Sequence, residues 1–97
     1  MKNFEKIRKI LEENRNILEK RFKVKEIGIF GSYLKKNQKD ESDLDILVEF
    51  HEPVGFFKFL ELEEHLEHLL GVKVDLVSRK ALKPKIGKHI LEEVTFI

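Results

Sequence analysis

The sequence predicts a single α/β (α+β) domain, a sheet with helices packed on it, and three observations carry that prediction. The spacing of apolar residues switches between helical steps of three and four and strand-like steps of two. Gly31, Pro53, Gly55 and Gly71 mark the ends of the periodic segments and the breaks between them. A chain of 97 residues is long enough for one modest core and too short for a catalytic domain plus a separate substrate-reading domain, so residues 1–97 are expected to form one unit.

The elements follow in order. From Asn3 to about Phe22, the residues Phe4, Ile7, Ile10, Leu11, Leu18 and Phe22 recur at helical steps among charged neighbours, which predicts one amphipathic helix with Asn3 as its N-cap. Val24 to Phe30 concentrates β-branched and aromatic residues and stops at Gly31, the length and composition of a buried strand. Ser32 to Ser42 is polar and lysine-rich, fitting one helical turn and a loop. Leu44, Ile46, Val48 and Phe50 then alternate with Asp43, Asp45, Leu47 and Glu49, a second strand with two unlike faces.

After Pro53 and Gly55, the residues Phe56, Phe59, Leu62, Leu66, Leu69 and Leu70 outline a second helix closed by Gly71. Val72 to Val77 reads as a third strand. Leu82, Ile86, Ile90 and Val94, four apart, predict a last helix with Pro84 in its first turn, where a missing amide costs little. Thr95-Phe96-Ile97 completes the chain as a short edge strand.

Composition narrows the function. Charged residues make up 38% of the chain, yet 19 Lys and Arg nearly balance 18 Asp and Glu, so the net charge of +1 exerts little pull on nucleic acids or membranes and no direct nucleic-acid binding is expected. The absence of cysteine excludes disulfides, thiolate catalysis and cysteine-type zinc sites. No apolar run approaches the roughly 20 residues of a membrane span, and a cytoplasmic location is expected.

The chemistry concentrates between Phe30 and Asp45. Gly31 leaves a strand and, lacking a side chain, lets a phosphate approach the backbone closely. Ser32 follows at the start of a possible helical turn, where unpaired amides and its own hydroxyl favour an anion. Asp43 and Asp45, two apart on an extended chain, project the same way with Cα atoms roughly 6.5 Å apart. Such hard oxygen ligands suit Mg²⁺, which takes one or two carboxylates and fills its shell with water and substrate phosphates. Two such ions about 4 Å apart hold the attacking and leaving oxygens of a displacement at phosphorus. A second ion needs another carboxylate. Asp75 in Lys73-Val74-Asp75-Leu76-Val77 is the candidate, because a lone carboxylate in an apolar strand is expensive unless it meets a metal or serves as a base.

Gly31-Ser32, ten intervening residues, Asp43-Leu44-Asp45 and the later strand residue Asp75 together resemble the minimal nucleotidyltransferases of the DNA polymerase β superfamily. The similarity runs from the leading helix through Ile29-Phe30-Gly31-Ser32, Ser42-Asp43-Leu44-Asp45-Ile46-Leu47-Val48 and Val74-Asp75-Leu76-Val77 to Ile90-Leu91-Glu92-Glu93-Val94. It implies a mixed sheet flanked by helices, two Mg²⁺ ions on Asp43, Asp45 and Asp75, and ATP held at Gly31 and Ser32. For small stand-alone members it implies an antitoxin that transfers AMP from ATP to a tyrosine of a partner HEPN-type RNase toxin. One departure stands out: family members often carry Arg-Gly shortly after the Gly-Ser, where this chain has Lys35-Lys36, so arginine's planar fork is replaced by point charges.

Blander readings stand beside these. Asp43 and Asp45 taken alone would fit a solvated strand end, and Asp75 alone an exposed loop edge. His65 and His68, three apart among Glu61, Glu64 and Glu67, read as a solvated helix face before a metal site, and Phe56, Phe57 and Phe59 as mostly core. Lys35, Lys36 and Lys39 read as surface charges near the phosphates, and Tyr33 as core or a neighbour of the nucleotide. Two other functions compete: a non-catalytic antitoxin that neutralises its partner by contact, and nucleotide transfer to a small molecule, for which so short a chain has little surface to build a second pocket.

Overall fold

The structure, a computed structural model, describes residues 4–31 and 43–97. Two helices open the chain, α1 (Phe4–Glu13) and α2 (Arg15–Phe22), followed by β1 (Val24–Phe30) and β2 (Leu44–Phe50). Then come α3 (Phe56–Leu70), β3 (Val74–Ser78), a 3₁₀ turn at Arg79–Ala81, α4 (Pro84–Glu93) and β4 (Thr95–Phe96). The strands form one mixed sheet in the order β3-β2-β1-β4. β1 pairs antiparallel with β2 and β4, and β2 pairs parallel with β3 across the α3 connection.

The expected single N-terminal helix is two. At Asn14 the side-chain amide donates to the Ile10 carbonyl at 2.8 Å, while its backbone N–H is shared between Ile10 and Leu11, each at 3.2 Å. A short amide side chain competing for a helix carbonyl breaks the regular ladder. α2 ends at Lys23, held in the left-handed region at φ 62°, whose N–H reaches back to the Glu19 carbonyl at 3.0 Å. The Asn3 cap lies outside the described residues.

One face of the sheet makes the core. Ile27 and Ile29, Leu44, Ile46 and Val48, and Val74 and Leu76 meet Ile7, Leu11, Leu18 and Phe22 of α1 and α2 and Leu62, Leu66 and Leu70 of α3. A register shift between Val24 and Glu26 lets Val24 join Ile27 and Ile29 in the core despite their unequal parity. The opposite face carries Gly28, Phe30, Asp45, Leu47 and Asp75. Because β3 and β4 are the two edges, the chain between them must cross a face. Val94 shows which, for a Cβ on Gly28 would meet its Cγ2 at 2.6 Å.

Two helix stripes differ from expectation. In α3 the buried residues are Leu62, Leu66 and Leu70, whereas Phe56 and Phe57 are 69% and 84% exposed, and only Phe59 packs on the core, edge-on to Phe50 at 6.4 Å. The helix starts at Phe56, so its first turn overhangs the sheet. In α4, Ile86 is 58% exposed and Gly87 is the buried residue, lying against Leu82. No helix among the described residues is long and apolar enough to cross a membrane.

Candidate active site

The ladder between β2 and β3 sets Asp45 directly beside Asp75, and the ladder between β1 and β2 sets Phe30, the residue before Gly31, beside Asp45. Neighbouring strands run about 4.8 Å apart. Three segments distant in sequence thus converge at one end of the sheet, on the face away from the core. Asp43 stands one residue ahead of β2 and is exposed, Asp45 is half-buried, and Asp75 is exposed between buried Val74 and Leu76.

The burial expected of Asp75 therefore falls on Asp45. Its carboxyl is raised from 3.8 to about 6, first by loss of solvent, then by the charges of Asp75 and Asp43, and last by a hydrogen bond that the protonated acid donates to Asp75. Burial is the leading cause, and the neighbouring carboxylates add to it.

Gly31 closes the site from the other side. It holds φ at 81°, a conformation L side chains rarely adopt, and a Cβ there would run into the Asp45 carboxylate oxygen. Both constraints demand glycine. Its bare backbone lies against the Asp45 carboxylate. Ser32, the other expected phosphate-binding residue, lies outside the described residues, as do Tyr33, Lys35, Lys36 and Lys39.

Among the described residues no group of three or more His, Asp or Glu side chains is placed so as to hold a metal ion. The donor chemistry nevertheless fits a hard divalent cation. Three carboxylates gather with no cation paired to them among the described residues, and beside burial the charges of Asp75 and Asp43 raise the Asp45 carboxyl, a charge repulsion that such a cation would relieve.

Other polar groups lie elsewhere. His68 is exposed as expected, but His65 is half-buried: its ring packs on Phe22 at 5.1 Å, its Nε2 is buried without a hydrogen-bond partner among the described residues, and burial lowers its pKa. A hollow of about 360 Å³, lined by Phe50, Pro53, Val54, Phe56 and Phe59 among others, lies at the far end of β2 from Asp45 and contains none of the predicted site residues. The sequence left Glu63 unremarked and set Glu67 on a solvated helix face, yet their side chains accept the backbone amides of Leu76 at 3.1 Å and Val74 at 2.9 Å. Only their one-turn spacing on α3, just ahead of the Asp75 strand, hints at it.

A mixed sheet that backs onto helices and offers clustered carboxylates beside a glycine turn defines a nucleotidyltransferase of the polymerase β type. Residues 5–97 match the nucleotidyltransferase domain family, and the chain belongs to it. Within that family it is 48% identical over 97 residues to the protein adenylyltransferase MntA of Thermococcus cleftensis, covering 100% of this chain and 98% of the relative. A solved structure described as a candidate minimal nucleotidyltransferase superposes with a TM-score of 0.83 at 32% identity, covering 97% of this chain and 95% of the other. A toxin–antitoxin crystal structure with AMP-PNP gives 0.70 at 27% identity, covering 95% and 69%. A tri-AMPylated Shewanella oneidensis HEPN toxin in complex with its MNT antitoxin gives 0.61 at 26%, covering 89% and 68%. The chain is thus a minimal nucleotidyltransferase, of the enzyme class that moves nucleotidyl groups.

Proposed function

We propose that this nucleotidyltransferase is a cytoplasmic, Mg²⁺-dependent antitoxin that transfers AMP from ATP to a tyrosine hydroxyl of a partner HEPN-type toxin. The observation that carries the reading is the registered pair Asp45 and Asp75 with Gly31 pressed against it. The adenylyltransferase relative and the AMPylated toxin complex support AMP transfer and the HEPN class of partner, and the tyrosine acceptor is what the family resemblance implies.

In this reading Gly31 and Ser32 would seat the triphosphate, with Asp43 and Asp45 acting at its α-phosphate. Asp43 and Asp45 would hold Mg²⁺. When bound, the metal neutralises phosphate oxygens and stabilises the charge that builds as pyrophosphate leaves. The acceptor oxygen forms a bond to the α-phosphorus, the bond from that phosphorus to the bridging oxygen breaks, and pyrophosphate departs with the electron pair. Asp75, the more exposed of the registered pair, would either complete the metal set or take the hydroxyl proton.

Co-expression with the partner and mass spectrometry of that partner test the reaction. Wild type is expected to add mass in whole AMP units, and Asp43→Asn/Asp45→Asn to add none. Should the double variant neutralise its toxin in cells as fully as wild type does, contact rather than chemistry is the antitoxin's function.

A further inference from the structure

β3 is an edge strand, bonded to β2 on one side only. Alternate amides of such a strand point away from the ladder and need partners elsewhere. On β3 these are the amides of Val74 and Leu76, the residues on either side of Asp75, and both are taken by carboxylates of one helix. The Val74 N–H donates to Glu67 Oε2 at 2.9 Å and the Leu76 N–H to Glu63 Oε2 at 3.1 Å.

The match is geometric. Glu63 and Glu67 are one turn apart, about 6 Å along the α3 axis, and Val74 and Leu76 are about 6.6 Å apart along their strand. The helix and strand run in opposite senses, as the crossed pairing of Glu67 with Val74 and Glu63 with Leu76 requires. Both glutamates are half-buried, where a lost acceptor is not replaced freely by water.

We infer that Glu63 and Glu67 are positioning residues that fix Asp75 opposite Asp45 by holding the amide of the residue on each side of it. Without them only the β2 ladder would hold the backbone of Asp75, and an edge strand held on one side frays. The role in catalysis rests on the adenylyl-transfer reading above. The clamp itself does not.

The test compares two double variants of the full chain with its co-expressed partner. Glu63→Gln/Glu67→Gln keeps a carbonyl acceptor at each position, while Glu63→Leu/Glu67→Leu keeps bulk and removes both acceptors. The leucine variant should melt cooperatively yet lose about 10–100-fold in kcat, with KM for ATP changed far less, and the glutamine variant should restore most of the loss. Amide hydrogen exchange should show Val74 and Leu76 deprotected in the leucine variant alone, with Ile46 still protected.

A leucine variant with wild-type kcat, or unchanged exchange at Val74 and Leu76, overturns the inference. If wild type transfers no nucleotide, the adenylyl-transfer reading fails instead. The clamp is then judged by exchange and by Mn²⁺ affinity, expected to fall about 10-fold in the leucine variant and to recover in the glutamine variant.

Discussion

Asp45 shows how a single side chain accumulates the tension of the site. In the folded protein its carboxyl titrates at about 6 rather than 3.8, so between those values the folded state keeps a proton that the unfolded chain has released. Asp45 therefore stabilises the metal-free protein most below about pH 4, and that contribution is lost as pH rises through 6. Asp45→Asn removes the penalty. Solvent screening at a half-buried position trims the full linkage value, leaving an expected gain of about 1 kcal/mol at pH 8. Thermal melts from pH 4 to 8 check this: the variant should lead wild type only at the upper end. The identity of this residue was legible in the sequence, since period two placed Asp43 and Asp45 on one face. Its burial was not, because the crowding carboxylate arrives from β3, 30 residues later.

At the scale of elements, the strands were the most legible part. β1 and β2 follow the β-branched run and the alternation in the sequence, and Gly71 ends α3 as expected, at φ 68° with its N–H on the Glu67 carbonyl at 2.8 Å. Gly71→Ala forces a Cβ into the left-handed region and is expected to cost about 1 kcal/mol, read as a lower denaturation midpoint with unchanged m-value. The N-terminal helix was less legible. Its apolar stripe continues through Asn14, and only the side-chain bond to Ile10 interrupts it. β3 lay between these extremes, its apolar alternation visible but the helix that clamps its outer edge silent in any local pattern.

For the whole molecule, the sheet sets its main core on one face and the candidate site at one end of the other, and substitutions should divide accordingly. Leu66, fully buried where α3 meets the sheet, is expected to cost about 2–5 kcal/mol when cut to alanine. Phe57, 84% exposed, should change stability by no more than about 0.5 kcal/mol as Phe57→Ser. Equal losses for the two would place the core elsewhere.

The amino-acid order alone determined the strands, α3 and α4 to within a few residues and named Asp43, Asp45 and Asp75 as the candidate acidic residues, because periodicity and turn chemistry act over a few residues. Tertiary structure alone decided the register of Asp45 with Asp75, the close approach of Gly31, the exposure of Phe56 and Phe57, and the glutamates behind β3. Burial and electrostatics are sums over neighbours in space, and those neighbours are supplied by strand pairing across long stretches of chain.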